Sequence, residues 1–382
     1  MLYFDHNATT PLIPQARDAW LEASERWPGN PSSPHRIGSR ASWALEESRG
    51  RLAGLLGCSP ADLFWTSGAT ESNNLLLHHF HRTLPPDREV WVSAVEHPSV
   101  LAPARRLFGD RLRLLPVTPE GVLDLESLRV AAGEAAPGLV AVMAANNETG
   151  VVQPWGSVLE WCRARGVPFF CDAAQWLGKM PASELREVTC LTGCAHKFGG
   201  PRGIGFLKFA SPGPLRPLVV GGAQEEGARA GTENLPGALA LVRALEVREA
   251  QCTAGFRADR LAERKAFEAS LLARIPGCQV LGASADRLWN TVAVLMPQAG
   301  CDGRWVVRVD RAGCAVSTGS ACSSGKEEPS HVLRAMGVPP GETGRMLRLS
   351  GGWETGPGDW SRLLESLVSA VAALPAPRVP AS

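Results

Sequence analysis

Residues 139–175 read LVAVMAANNETGVVQPWGSVLEWCRARGVPFFCDAAQ and contain a complete strand–helix–strand pattern. Residues 139–145 and 167–172 are short apolar runs, and residues 155–165 between them carry apolar side chains at helical spacing. Strands that alternate with helices in this way are typical of a parallel sheet, so the stretch predicts a parallel β–α–β unit.

The alternation extends from about residue 62 to residue 209 and predicts an α/β fold, a mostly parallel sheet with helices on both faces. Further strands are predicted at residues 63–66, 89–94, 111–116, 188–192 and 204–209, and further helices at residues 67–81 and 98–108. A long helical pattern at 232–273, interrupted near Gly255, leads to short strands (288–296, 314–317, 346–350) mixed with helices (302–312, 329–336, 357–373). We therefore predict a large α/β domain at 12–260, a smaller α+β domain at 1–11 and 261–374, and a tail at 375–382.

Composition excludes several classes of function. The chain has 382 residues, and its 39 Lys and Arg nearly balance its 38 Asp and Glu, for a net charge of +1. Such a balance gives no charged field for nucleic acid or anionic lipid, so neither is an expected partner. Asp5 and His6 interrupt the N-terminal apolar residues, and no apolar run approaches the ~18 residues of a membrane span. We expect a cytoplasmic protein.

Ten cysteines are spread through the chain, and only Cys190 and Cys194 lie close together. A structural zinc site would need a second pair of cysteine or histidine ligands, and the sequence has none at the required spacing. Most have apolar neighbours and are expected to be reduced core residues. Cys322 differs, because residues 319–325 read GSACSSG and contain no other side chain able to form a core. This composition predicts an exposed loop with an accessible thiol, and an exposed cysteine is typical of a thiol that is used.

Polar residues follow several of the predicted strands, at the sheet edge where ligands bind in α/β folds. Residues 66–73 read TSGATESN and predict either a phosphate-binding site at the start of a helix or a capping box. His97 is either a catalytic or a helix-start residue. Asp172 ends a buried strand as a cofactor contact or a structural ion pair, and Lys197, between small residues, is a Schiff-base lysine or an ordinary surface lysine.

Taken together, a phosphate-binding site, a carboxylate and a lysine at the ends of strands are the groups that bind pyridoxal phosphate. The sequence closely resembles the cysteine desulfurases of the NifS/IscS type, in the class V aminotransferase group of fold-type I pyridoxal phosphate enzymes. The resemblance runs from residue 3 to about residue 351 and rests on the segments YFDHNATTP (3–11), GNPSS (29–33), SGATES (67–72), NNE (146–148), DAAQ (172–175), HK (196–197), AGTEN (230–234) and GSACSSG (319–325).

The resemblance implies a role for each matching residue. Lys197 would form the Schiff base with the cofactor, Asp172 would face its pyridine nitrogen, and His97 would stack on its ring and carry protons. The remaining implied contacts are Asn147 and Gln175 to the phenolic oxygen; Ala69, Thr70, Cys194, His196 and the neighbouring subunit's Thr232 to the phosphate; and Arg348 to the substrate carboxylate. Cys322 would carry the persulfide.

The implied reaction converts L-cysteine to L-alanine and leaves sulfur on Cys322 for acceptor proteins or iron–sulfur scaffolds, in a homodimer. Two alternatives stay open at this point: a selenocysteine lyase or related β-lyase, which need not keep Cys322, and a non-catalytic scaffold paralogue. Cys194 and Ala195 depart from the serine and glycine usual in the family. Since a thiol is a weaker donor than a hydroxyl, the first change is expected to weaken phosphate binding somewhat.

Overall fold

A computed structural model of the chain describes residues 1–131, 136–211, 213–298, 305–318 and 330–373. Its strands are β1 (Leu2–Tyr3), β2 (Leu63–Thr66), β3 (Val90–Ser93), β4 (Leu112–Leu115), β5 (Leu139–Ala141), β6 (Phe169–Asp172), β7 (Cys190–Cys194), β8 (Gly205–Phe209), β9 (Gln279–Val280), β10 (Thr291–Leu295), β11 (Cys314–Ala315) and β12 (Met346–Ser350). Its helices are α1 (Pro14–Arg26), α2 (Arg36–Leu56), α3 (Ala69–Thr83), α4 (Pro98–Phe108), α5 (Leu125–Ala131), α6 (Trp155–Arg163), α7 (Leu235–Gln251), α8 (Ala254–Arg274), α9 (Trp305–Arg311), α10 (His331–Ala335) and α11 (Pro357–Ala372).

Seven strands form the central sheet in the order β2-β8-β7-β6-β5-β3-β4. The pairs among β4, β3, β5, β6 and β7 are parallel, whereas β8 lies antiparallel to both β7 and β2. The predicted mostly parallel α/β sheet is therefore confirmed. The parallel strands all point their carboxyl ends to one edge of the sheet, which is where a ligand site is expected.

Side chains along the central strands alternate between two separate cores. Trp91, Val140 and Phe169 pack with α2, α6 and α7 on one face of the sheet. Val92 and Phe170, on the same strands, pack with α3 and α4 on the other. Successive strand residues point to opposite faces, so a sheet buried on both sides requires continuous apolar runs like those in the sequence.

A second group of elements builds a separate core around small sheets. Strands β9, β10 and β12 form an antiparallel sheet, and β1 pairs in parallel with β11. Phe4, Trp305 and Trp360 are buried in this core together with side chains of α8 and α11. The N-terminal strand thus packs with elements more than 300 residues later in the chain.

The predicted interruption of the long helix near Gly255 is confirmed. The helical pattern is divided at Cys252–Thr253, between α7 and α8. The Thr253 side chain accepts a hydrogen bond from the amide of Phe256 and so caps the start of α8. Gly255 lies inside the first turn of α8. No helix among the described residues has the length and apolar character needed to cross a membrane.

A buried ion pair holds the segment that leads into α7. The two guanidinium nitrogens Nη1 and Nη2 of Arg49 lie 2.9 and 2.8 Å from the two oxygens of Glu225, and the amide of Trp65 donates to the same carboxylate. Glu225 and Glu226 both have left-handed backbone, with φ of 50° and 54°. The bidentate pair therefore holds a backbone conformation that such residues rarely adopt.

Replacement of Glu225 by alanine is expected to lower the free energy of unfolding by about 3 kcal/mol, because the buried guanidinium of Arg49 then keeps only the exposed carboxylate of Glu46 as an ionic partner. The matched control is Glu226→Ala, which shares the left-handed backbone but removes an exposed side chain. Urea unfolding of both variants separates the loss of the ion pair from the effect of placing alanine at a left-handed backbone position. Equal losses of stability in the two variants would contradict a stabilising role of the ion pair.

Candidate active site

A cavity of about 880 Å³ opens at the carboxyl ends of the parallel strands. Ten of the twelve predicted site residues line it: Ala69, Thr70, His97, Asn147, Asp172, Gln175, Cys194, His196, Lys197 and Arg348. Thr232 is exposed and does not line the cavity of its own chain, and Cys322 lies outside the described residues. The cavity therefore gathers residues from nearly the whole length of the chain, from Asn7 to Arg348.

Asp172 is the last residue of β6 and is buried with both carboxylate oxygens engaged. Oδ1 accepts from the amide of Ala174, and Oδ2 accepts from the side-chain amide of Asn73, each at 2.9 Å. Asn73 is itself fully buried and is held at its Oδ1 by the hydroxyl of Thr192, on the neighbouring strand. These bonds compensate the cost of burying the carboxylate and fix its direction.

His97 is joined to Asp172 through two polar side chains. Its Nδ1 accepts from the amide of Ser99 and lies 2.7 Å from the Ser99 hydroxyl, which in turn accepts from Asn73. Acceptance at Nδ1 assigns the ring proton to Nε2. Burial lowers the pKa of His97, an effect that the nearby Asp172 opposes. His97 therefore presents a neutral ring to the cavity near pH 7.

Lys197 follows β7 in a short 3₁₀ turn, and its ammonium end lies within the cavity. Nζ donates to the backbone carbonyls of Asn7 and Ala8, at 2.7 and 2.8 Å. The hydroxyl of Thr10 bonds the carbonyl of Lys197, so the N-terminal segment holds this turn at both its backbone and its side chain. The surface-lysine interpretation of Lys197 is therefore wrong.

The helix start at α3 offers free amides to an anion. Gly68 precedes the helix, and no side chain caps its first turn. The amide of Ala69 instead bonds the sulfur of Cys194, whose thiol pKa is raised to about 11 mainly by burial. A Cβ atom at Gly205 would lie 2.6 Å from the Cα of Gly68, so only glycine allows β8 to pass this close behind the turn. The capping-box alternative holds in part, since Glu71 accepts from the amide of Ser67, yet the N-cap residue Gly68 makes no side-chain cap.

Arg348 projects from β12 into the cavity with its side chain almost fully buried. Nη2 lies 2.7 Å from Oδ1 of Asp5, and Nη1 donates to the carbonyl of Asn147 at 3.0 Å. Nε is buried and, among the described residues, has no hydrogen-bond partner. A guanidinium that lines a cavity is suited to a carboxylate ligand, which takes two parallel hydrogen bonds.

Several residues of the site were not predicted from the sequence. Asn7 and Lys179 are completely buried beside Gln175. Glu148 is buried against the hydroxyl of Ser330, and burial raises its pKa. Asn7 and Glu148 fall within the quoted motifs, but their partners are 140 to 284 residues away, and no local pattern indicates such contacts.

This chain is similar to known proteins over nearly its whole length. The family described as "Aminotransferase class-V" matches residues 2–355. A cysteine desulfurase of Cereibacter sphaeroides is 40% identical over 96% of this chain and 94% of its own length, and one of Trichormus azollae is 37% identical over 89% and 85%. The solved structure of a NifS-like protein superposes with a TM-score of 0.88 at 30% identity, covering 98% of this chain and all of that one.

Two histidines near the cavity are expected to stay neutral at pH values well below 6.5, the usual pKa of histidine. Burial is the first cause of the lowered pKa of both His6 and His196, to about 4. The unfolded chain takes up these protons near pH 6.5 and the folded chain near pH 4. Their contribution to stability is therefore fully present above pH 6.5 and is lost as the pH falls towards 4.

Imidazole NMR titration measures this directly, with the His6→Asn and His196→Asn variants used to assign the two signals. Both signals are expected to change between about pH 3 and pH 5. A midpoint near pH 6.5 for either histidine would show that its ring is hydrated instead of buried.

Proposed function

Because this chain belongs to the class-V aminotransferase family and is a cysteine desulfurase dependent on pyridoxal 5′-phosphate, we propose that Cys322 receives the sulfur of L-cysteine. In this reaction the carbon–sulfur bond of the substrate breaks, alanine takes a proton at the β-carbon, and the Cys322 thiol becomes a persulfide. The observation that carries the proposal is the single cavity that combines Lys197, Asp172 and Arg348.

The residues around the cavity fit the cofactor. The uncapped amides at the start of α3, with Thr70, Cys194 and His196 beside them, would hold the phosphate. Asp172 would face the pyridine nitrogen, His97 would stack on the ring, and Asn147 and Gln175 would bond the phenolic oxygen. When bound, pyridoxal phosphate supplies a protonated ring that withdraws electrons from the substrate's α-carbon.

Arg348 would bind the carboxylate of L-cysteine. Its Nε is an unmatched buried donor, and its other two nitrogens are already oriented by Asp5 and Asn147. The guanidinium is thus held in place before the substrate arrives, which lowers the ordering cost of binding. A substrate without a carboxylate would leave this buried donor unpaired and would bind more weakly.

Lys197 and His97 would move the protons. The Lys197 amine is the group placed to take the proton from the substrate α-carbon and return it, because its Nζ lines the cavity beside Asn7 and Ala8. His97 would carry protons to or from the thiols, and it enters that role with a neutral ring whose proton is on Nε2. Asp172 would stay a hydrogen-bond acceptor throughout, held by Ala174 and Asn73.

The position of Cys322 in the chain supports its role as the sulfur carrier. Residues on both sides of the segment 319–329 reach the cavity wall: Ser317 exchanges backbone hydrogen bonds with Arg348, and Ser330 lines the cavity. Only small side chains flank Cys322 in the sequence. A thiol in such a segment suits a carrier that takes sulfur at the cavity and passes it to an acceptor.

We propose a homodimer in which Thr232 completes the phosphate site of the neighbouring subunit. Thr232 is exposed on its own chain and away from its own cavity. Large apolar side chains exposed on the same chain include Leu12, Trp20, Leu21, Ile37, Trp43, Val219 and Val220. Exposed apolar side chains of this size are consistent with burial against a second copy.

The proposal extends to partners and organisation. Sulfur acceptors would include iron–sulfur scaffold or thiolation proteins, since a persulfide requires a thiol-bearing recipient. Eight free cysteines among the described residues fit a reducing compartment such as the cytoplasm. The separate cores of the α/β and α+β elements support domains at 12–260 and at 1–11 with 261–374.

The first experiment records the absorption spectrum of the purified protein and then measures sulfide and alanine after addition of L-cysteine. Wild type is expected to show a cofactor band and to form both products. Cys322→Ala is expected to keep the band and lose more than about 99% of the activity, because the sulfur acceptor is gone. Cys58→Ala, which removes a half-buried thiol away from the cavity, is the matched control and should retain activity.

The two alternatives give different results in the same assay. A selenocysteine lyase or related β-lyase would keep its activity in Cys322→Ala. A non-catalytic scaffold would release neither product in wild type under any condition tested. Absence of a cofactor band in wild type would contradict the cofactor site itself.

Replacement of Cys194 by serine is expected to keep or tighten cofactor binding, by up to about tenfold, because a hydroxyl is the better hydrogen-bond donor. The control is Cys190→Ser on the same strand, whose side chain is buried in the apolar core away from the cavity. Cys190→Ser should lower the free energy of unfolding without raising the affinity for pyridoxal phosphate. Titration of the apoprotein with pyridoxal phosphate gives the dissociation constants, and clearly weaker binding by Cys194→Ser would be the contrary result.

A further inference from the structure

A second lysine is buried next to the site. Lys179 is 0% exposed, and its Nζ lies 2.5 Å from Oε1 of Gln175 and 3.2 Å from Oδ1 of Asn7. Both acceptors are neutral amides. Within the described part of the chain, no carboxylate is within hydrogen-bond distance of this amine, which is uncommon for a completely buried lysine.

Gln175 is held at both ends of its side-chain amide. Oε1 accepts from Lys179, and Nε2 donates to the backbone carbonyl of Asn7 at 2.9 Å. A rotation of the amide by 180° would bring its oxygen against that carbonyl and its nitrogen against the lysine amine. The two contacts therefore permit one orientation of the amide. Since Gln175 lines the cavity, the second hydrogen on Nε2 is the one available to a ligand there.

Asn7 connects Lys179 to the catalytic lysine. Its side-chain oxygen accepts from Lys179 and from Asn290, and its side-chain nitrogen donates to the hydroxyl of Thr291. Its backbone carbonyl accepts from Lys197 as well as from Gln175. A change in the position of Asn7 would thus alter contacts of both Gln175 and Lys197.

The surroundings of Lys179 disfavour its charged form. Burial lowers its pKa well below the ordinary value, and the positive charges of Lys197 and Arg348 act in the same direction. Its two hydrogen-bond acceptors are both amide oxygens, which compensate the desolvation of an ammonium less than a carboxylate would.

We propose that Lys179 is a positioning residue that orients the amide of Gln175, so that Nε2 donates to the phenolic oxygen of the cofactor. The inference rests on the proposed contact between Gln175 and that oxygen. Lys179 does not line the cavity and acts through Gln175. Its removal would leave the Gln175 amide held only at Nε2, by the Asn7 carbonyl, so the direction of its second hydrogen would be less firmly fixed.

The test replaces Lys179 by methionine, which has similar length and no hydrogen to donate. Two readouts are taken without L-cysteine: the dissociation constant of pyridoxal phosphate and the pH at which the bound cofactor's absorption band changes. We expect affinity to fall about tenfold and the spectral midpoint to move to higher pH, because a donor to the phenolic oxygen favours its ionised form.

Lys208→Met is the matched control. Lys208 is also a buried lysine, on β8, but its Nζ donates to the carbonyl of Arg186 outside the cavity. The same chemical change there should leave the affinity and the spectral midpoint as in wild type. Lys179→Leu, which also lacks a donor and is smaller, serves if the methionine variant does not fold and is expected to shift both readouts in the same direction.

A double variant tests whether Lys179 acts through Gln175. If it does, adding Lys179→Met to Gln175→Ala changes the affinity by less than about twofold. Independent, multiplying losses would overturn the proposal, and so would wild-type readouts in Lys179→Met or Lys179→Leu. A wild-type protein that binds no cofactor would instead contradict the proposed function, and wild type is measured alongside to distinguish the two failures.

Discussion

The convergence of three parallel strands at one sheet edge determines where this protein can do chemistry. Strands β5, β6 and β7 are buried on both faces, so their polar residues can stand only where the strands end. Asn147, Asp172 and Lys197 follow these strands in turn and meet in the cavity. The uncapped start of α3 faces the same space because β2 is joined to β7 through the antiparallel strand β8.

Convergence alone would place buried polar groups together at a high cost in desolvation, and the N-terminal segment compensates much of this cost. Asp5 pairs with Arg348, and the carbonyls of Asn7 and Ala8 accept from Lys197. The segment also adds β1 to the small sheets, so it belongs to both cores. The position of the site residues therefore depends on the first ten residues as strongly as on the central sheet.

The sequence predicted the parts of the fold that depend on local pattern. All seven strands of the central sheet lie within or close to the predicted ranges, because buried strands need continuous apolar runs. The bounds of β2 (Leu63–Thr66), and of β12 (Met346–Ser350) in the small sheet, are the same as predicted. Helices α1 and α2 were not predicted, since Gly38, Gly50 and Gly54 weaken the helical pattern of α2. The contacts of Asn7, Lys179 and Asp5 are set by tertiary packing, so no spacing in the sequence could indicate them.

Burial also explains how so many basic residues share the site without repelling one another. The pKa values of His6, His97, His196 and Lys179 are all lowered, with desolvation as the first cause. The three histidines therefore act near neutral pH as uncharged donors and acceptors. The guanidinium of Arg348 is paired with the carboxylate of Asp5. An anionic substrate group entering the cavity is thus attracted by a fixed, partly compensated cation, while neutral side chains hold the surrounding amides and rings in position.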